Sequence, residues 1–264
     1  FNLVPGADSS YPGNLLDVNG TLYFTAAAVV DGPSLLWQSV NGGTPTQVAG
    51  QTGVLVNPSE LIRAGNYVVF TAQPSSESWD REVWSYNTLG GTTPRVQISS
   101  IADSNNPYGS DPYGLTYFEG KVYFAATDGY DGETSVFGVE GRELYAATPG
   151  VAGSAAHPFA NIGQIDSSPK FKVVFGQFIV IPGYVVSSNP GELEAAGSTL
   201  YFTATDGSTG YEAWTTTGLA APAQLKDIAA GGDSSYPWQY TRVETSAGPR
   251  VFFSANGGLW ATEG

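Results

Sequence analysis

The stretch Leu200-Tyr201-Phe202-Thr203-Ala204-Thr205-Asp206-Gly207-Ser208-Thr209-Gly210-Tyr211-Glu212-Ala213-Trp214 reads as a strand, a glycine-bearing turn and a second strand ending on tryptophan. Degraded copies recur four times. Leu22-Tyr23-Phe24-Thr25-Ala26 leads to Leu35-Leu36-Trp37, and Val69-Phe70-Thr71-Ala72 leads to Glu82-Val83-Trp84. Val122-Tyr123-Phe124-Ala125-Ala126 leads to Glu143-Leu144-Tyr145, and Phe252-Phe253-Ser254-Ala255 leads to Leu259-Trp260. The aligned phenylalanines Phe24, Phe70, Phe124, Phe202 and Phe253 are 46, 54, 78 and 51 residues apart. Three of these intervals suit a four-stranded propeller blade of about 40–50 residues.

Each copy has four parts. A proline-containing connection enters strand a, as over Asn14 to Val18, and a tight turn such as Asn19-Gly20 follows. Strand b is the aromatic Tyr-Phe-Thr-Ala segment, strand c carries the tryptophan, and a short strand d closes the unit. The long interval places strand d of the third unit near 178–181, because Phe178 to Pro190 parallels Leu225 to Pro237. An insertion at about 147–176 then separates it from strand c. Five blades fit better than six, since the insertion lacks the aromatic strand. The last unit stops after its strand c, whereas Phe1-Asn2-Leu3-Val4 followed by Asp8-Ser9-Ser10-Tyr11-Pro12 has the grammar of a strand d and its connection. The expectation is an all-β, single-domain, five-bladed β-propeller of four-stranded antiparallel blades over 1–264. The N-terminal strand completes the last blade, which leaves no open seam.

With 24 acidic against 10 basic residues the net charge is −14, the opposite of a nucleic-acid footprint. No apolar run is long enough for a transmembrane helix. The chain opens on Phe1 as a mature or trimmed form would, and with no cysteine it has no disulfide or thiolate site. The abundance of Ser, Thr, Gly and Tyr leans towards a secreted protein.

Asp206-Gly207-Ser208-Thr209-Gly210-Tyr211-Glu212-Ala213-Trp214-Thr215-Thr216-Thr217-Gly218 resembles the bacterial ELW-x-x-DGT repeat, also met in hyalin-like surface proteins. Val4-Pro5-Gly6 through Pro12 resembles the connection of the same repeats. The resemblance implies a secreted or cell-surface β-propeller and no settled activity. Units 1 and 5 depart from it by lacking the Glu before the Trp.

In a four-stranded blade the d-to-a and b-to-c connections emerge on one face. That face gathers Trp79, Asp80, Tyr11, Tyr211, Tyr236 and Trp238 as candidate ligand-binding residues. Asp128 and Asp206, each beside a glycine, are candidate calcium ligands, against the simpler reading of Asp-Gly as a turn. The strand-c tryptophans belong to the core, and Glu82, Glu143 and Glu212 are expected to hold backbone of a neighbouring blade. A single histidine, His157, leaves no room for a triad or a histidine metal site. The strand-a carboxylates Asp17, Glu60, Glu119, Glu194 and Glu244 are the groups a glycosidase-like enzyme would use.

The function expected first is a non-catalytic extracellular binding or assembly module meeting a glycan or protein partner. The insertion, with Phe171 and Val173-Val174-Phe175, is a second candidate docking element. A structural subunit of a matrix or filament is the alternative, and a glycosidase-like enzyme the next.

Overall fold

The computed structural model describes residues 1–4, 9–48, 55–75, 78, 80–101, 109–127, 142–155, 158–160, 162–163, 165–166, 170–174, 177–181, 184–185, 187–246 and 248–262. The chain is all-β, and its repeats fold as five antiparallel sheets in the strand order of propeller blades. Sheet 1 holds β1 (Gly13–Val18), β2 (Thr21–Ala27), β3 (Ser34–Val40) and β4 (Thr46–Gln47). Sheet 2 holds β5 (Val56–Ala64), β6 (Tyr67–Gln73), β7 (Glu82–Asn87) and β8 (Arg95–Gln97). Sheet 3 has β9 (Tyr113–Phe118), β10 (Lys121–Thr127) and β11 (Arg142–Ala147). Two short pairings follow, β12 (Ile165–Asp166) with β15 (Tyr184–Val185) and β13 (Lys170–Val174) with β14 (Gln177–Ile181). Sheet 4 holds β16 (Gly191–Ala196), β17 (Thr199–Thr205), β18 (Tyr211–Thr216) and β19 (Ala223–Lys226). Sheet 5 has β20 (Trp238–Thr245), β21 (Gly248–Ala255) and β22 (Gly258–Ala261).

Two compact units divide the chain: Phe1–Val122 with Ala146–Ala156, and Tyr123–Tyr145 with His157–Gly264. Both are built by the same alternation. Successive strand residues point to opposite faces. In the first unit Val18 and Tyr23 of sheet 1 therefore pack with Val68, Phe70 and Ala72 of sheet 2, while Phe24, Ala26 and Trp37 form a cluster of their own. In the second unit Val251, Phe253 and Ala255 of sheet 5 pack with Ala196, Ala213 and Tyr240, and Tyr201 lies against them. The residues Phe252 and Ser254 turn the other way. They line a groove of about 430 Å³ with Gln239, Thr241, Phe253 and Leu259.

The register is the one the repeat predicts. Phe24 faces Trp37, Phe70 faces Trp84 and Phe202 faces Trp214 across neighbouring strands. Asn19 and Gly20 both take positive φ, 53° and 81°, as a two-residue hairpin turn between β1 and β2 requires.

The third sheet corrects the sequence expectation. The segment 178–181 is not its fourth strand, because β14 pairs with β13 along Lys170↔Ile181 to Val174↔Gln177. The edge of β11 is met earlier in the chain. The Phe159 N–H donates to the Leu144 carbonyl at 2.7 Å, and Ala160 bridges Leu144. An apolar strand pattern fits either partner, and a hairpin closes a much shorter loop than a return to β11 would. Residues 148–155, expected within the insertion, add instead to the outer edge of sheet 2. Gly153 and Ala155 donate to the carbonyls of Gln97 and Ile98 at 3.1 and 3.0 Å. Phe175, one of the apolar residues of the expected docking element, lies outside the described residues, as does His157.

Phe1–Val4 contains no strand, and sheet 5 has three strands among the described residues. Leu3 packs against Phe24, Ala26 and Trp37 of sheet 1, as the equivalent Ile228 packs against sheet 5. The first segment thus corresponds to the residues at and just past the end of β19.

Candidate functional site

Each sheet is entered through the same local structure. Tyr11, Asn57, Asp111, Asn189 and Tyr236 stand immediately before Pro12, Pro58, Pro112, Pro190 and Pro237, and all five take φ between 41° and 51°. A left-handed backbone is unfavourable for non-glycine residues, and more so for bulky tyrosine than for asparagine or aspartate. Five-fold recurrence assigns this strain to the architecture. Two residues past each proline, Asn14, Glu60, Gly114, Glu192 and Gln239 are left-handed as well. In four sheets the pairing of strands a and b shifts around this point, as between Gly191 and Glu194. In these four sheets strand a therefore begins with a bulge that re-aims its side chains.

Buried carboxylates hold these connections. Glu212 accepts from the Ser235 hydroxyl at 2.6 Å and from the N–H groups of Ser235 and Ile228, both at 3.0 Å. Glu143 repeats this with the Ser188 hydroxyl at 2.5 Å and N–H at 3.0 Å, and with Ile162 N–H at 3.4 Å. Glu82 accepts from the Ser99 hydroxyl and from Ile101 N–H at 3.4 Å, with the Ser110 hydroxyl also bonded to it. Burial pushes the Glu82 carboxyl above the usual range, against the opposing pull of these hydroxyls. The partner of each glutamate is thus the connection into the next sheet. At the equivalent positions sheet 1 has Leu35 and the following connection has Val56, so there the polar pair is replaced as a pair.

The expected ligand residues separate into groups. Tyr211 begins β18 and Tyr236 sits in the connection before β20. Their rings stack at 5.7 Å between centroids, 19° from parallel. The d-to-a and b-to-c connections therefore do converge in this unit. The Tyr211 hydroxyl accepts from Asn189 Nδ2 at 3.1 Å, while Tyr236 is 65% exposed. Neither neighbour of Tyr236 can swing. Ser235 is fixed by Glu212, and the Pro237 carbonyl accepts from the Thr203 hydroxyl at 2.6 Å. Gly210 admits the close approach behind the stack. It is left-handed at φ 71°, and a Cβ there would lie 2.7 Å from the Asp233 carbonyl carbon.

Trp238 was expected in a loop, but it opens β20 and is 51% exposed. Its position directly after Pro237 places it at the first residue of strand a, a site that the polar flanking sequence disguises. Tyr11 is 77% exposed in its own connection. Trp79 and Asp128 lie outside the described residues. Asp206 spends its oxygens on its own turn, accepting from the N–H groups of Ser208 and Thr209 at 2.7 and 2.9 Å and from both hydroxyls. Burial would raise its carboxyl, and these bonds outweigh that and hold it below the usual range. Among the described residues, no group of three or more potential metal ligands is gathered.

Asp80 belongs to a second polar cluster, in the first unit. Next to it Arg81 reaches Asn57 O, Ser59 Oγ and Thr71 Oγ1 through one nitrogen at 2.9–3.1 Å; burial pushes its guanidinium down, with Asp111 and Glu60 opposing. Arg81 was not singled out by sequence reasoning. It occupies in sheet 2 the position of Tyr211 in sheet 4, one residue before the buried glutamate, and that equivalence was the available signal. Asp80 Oδ1 is buried without a hydrogen-bond partner, and desolvation raises the carboxyl.

Of the strand-a carboxylates, Glu60 accepts from Leu115 N–H at 3.1 Å, and Glu244 pairs with Arg242 at 2.5 Å. Asp17 accepts from Gly20 N–H at 3.1 Å, and Glu119 lies in the turn after β9 rather than on it. Burial pushes Glu194 up, with Arg242 opposing.

No protein-family model and no curated protein matches the chain. In structure it is similar to β-propeller domains. An acylaminoacyl peptidase from Pyrococcus horikoshii is 10% identical over 91% of this chain and 32% of its own, with a TM-score of 0.44. A GH74 xyloglucanase from Xanthomonas campestris is 16% identical over 91% and 32%, at 0.43. A thermostable family-43 glycoside hydrolase is 11% identical over 98% and 95%, at 0.34. The chain spans about a third of the length of the peptidase and of the xyloglucanase.

Proposed function

We propose that this chain is a non-catalytic binding module, secreted or displayed at a cell surface, that meets a glycan or protein partner through the connections entering its sheets. The observation carrying this reading is the Tyr211–Tyr236 stack, which keeps a large aromatic face in water on a backbone locked on both sides. Exposed aromatics that fold back over a core need no such framework, whereas a binding surface gains affinity from one. The local sequence around Glu212 and Trp214 supports membership of the ELW-x-x-DGT type of surface repeat, and with it the extracellular location. Against catalysis on strand a stands the use of Glu60 in holding the Leu115 N–H.

The test is a glycan array paired with capture of protein partners from the organism's surface fraction. Wild type is compared with Tyr236→Ala, in calcium and in chelator. Hits of either kind that disappear in the variant support the module. Two blank screens, or hits indifferent to Tyr236→Ala, overturn it.

A further inference from the structure

We infer that the Tyr236 face takes a neutral pyranose, bound by one face of the sugar ring, with Asn189 and the Tyr211 hydroxyl serving the hydroxyls at its edge. The inference rests on the binding reading above and narrows its ligand. Of the two near-parallel rings Tyr236 is the more exposed, with Tyr211 stacked against one of its faces, so its other face is the plane open to a ligand. A flat apolar plane bordered by hydrogen-bonding groups matches a pyranose, whose C–H groups lie on one face and whose hydroxyls lie around its rim. The polar border is in place. Asn189 Nδ2 donates to the Tyr211 hydroxyl at 3.1 Å and to the Ser187 carbonyl at 3.5 Å, which holds the amide in place and leaves its oxygen for a ligand hydroxyl.

Charge sets the second half of the inference. Glu192, whose Oε2 accepts from Gln239 N–H at 2.8 Å, Asp233 and Asp206 lie on the three segments around the stack, and the backbone carbonyl of Arg142 accepts from Asn189 N–H at 3.0 Å. With a chain charge of −14, a uronate or sulfate ester would approach against the field. A neutral sugar meets no such barrier.

Calorimetric titration of the full chain decides it, with neutral pyranose oligosaccharides on one side and uronic-acid and sulfated ones on the other. Wild type should bind members of the neutral set. Tyr236→Ala should weaken binding by about tenfold or more, the scale of one stacked aromatic, while Tyr236→Phe stays within about threefold. Tyr211→Phe, which keeps the ring and removes the partner of Asn189, should fall between them. Melting curves matching wild type confirm that the variants fold. Tyr236-dependent binding confined to anionic sugars overturns the neutral ligand and leaves the binding module standing. Equal affinity in wild type and Tyr236→Ala removes the site itself. Absence of any sugar binding overturns the inference, and a protein partner lost in the same variant would then preserve the broader reading.

Discussion

The indole nitrogens of the repeated tryptophans do not share one fate. Trp37, Trp214 and Trp260 each donate at 3.0 Å to a carbonyl of their own strand b, those of Ala26, Ala204 and Ala255. Trp84 Nε1 is buried with no partner, and its ring is covered by Arg95 at 5.7 Å from the centroid. A buried donor without a partner costs about 1–3 kcal/mol, whereas a satisfied one contributes about 0.5–1.5 kcal/mol. Phenylalanine at either position loses the same ring area. Trp214→Phe should therefore destabilise the protein by about 1 kcal/mol or more beyond Trp84→Phe. Urea denaturation of the two variants measures this, and equal losses would refute the account. A second residue-scale consequence concerns Gly210. Its left-handed φ and the absence of space beside Asp233 make Gly210→Ala push Tyr211 off Tyr236, so the variant should lose ligand binding together with the Tyr236→Ala variant, in the same titration.

At the scale of elements, the glutamate of strand c fastens a whole connection. Glu212 satisfies the Ser235 hydroxyl and three backbone N–H groups, from Ile228, Ala229 and Ser235. Glu212→Leu takes the acceptor from the half-buried Ile228 and Ala229 N–H groups and leaves Ser235 only the Tyr211 carbonyl, a loss of about 1–3 kcal/mol. Leu35 and Val56 indicate that an apolar pair serves at the same place in the first junction. Adding Ser235→Val to Glu212→Leu should thus recover part of the loss, and the coupling would be read from a double-mutant cycle by denaturation. Additive losses would show that serine and glutamate act separately. The same scale explains what the sequence made legible. Strands b and c were plain because each unit repeats an aromatic alternation that only a strand satisfies, and the tyrosine pair followed from knowing which connections share a face. The third unit's fourth strand was not, because Phe178-Ile179-Val180-Ile181 is apolar on both faces and carries no signal of its partner. Arg81 was missed since tyrosine and arginine look unrelated until the register sets them at one position.

For the whole molecule, buried carboxyls and net charge act together on stability. Glu82 has its pKa raised in the folded state, so folding binds a proton that the unfolded chain has already released. Its contribution is present below the ordinary glutamate range and is lost as pH rises through the folded value. Asp80 and Glu194 shift in the same direction. Self-repulsion at a net charge of −14 also eases as pH falls towards the isoelectric point of about 4.2. Asp206 works oppositely: its lowered pKa stabilises above the ordinary aspartate range and is lost as pH falls through the folded value. The melting temperature should accordingly rise as pH is lowered from about 8 to 5 and turn down again below about 4, near the ordinary aspartate value. Salt and mutation separate the causes. About 1 M salt shortens the screening length to about 3 Å and should flatten the part due to net charge. Glu82→Gln keeps one of the two acceptor oxygens that take Ser99 and Ile101 and cannot ionise, so it should reduce the part that salt leaves, with Asp80 and Glu194 keeping their shares. A wild-type profile that is level in high salt, or that Glu82→Gln leaves unchanged there, would mean that the Glu82 hydroxyl and N–H partners compensate its burial completely.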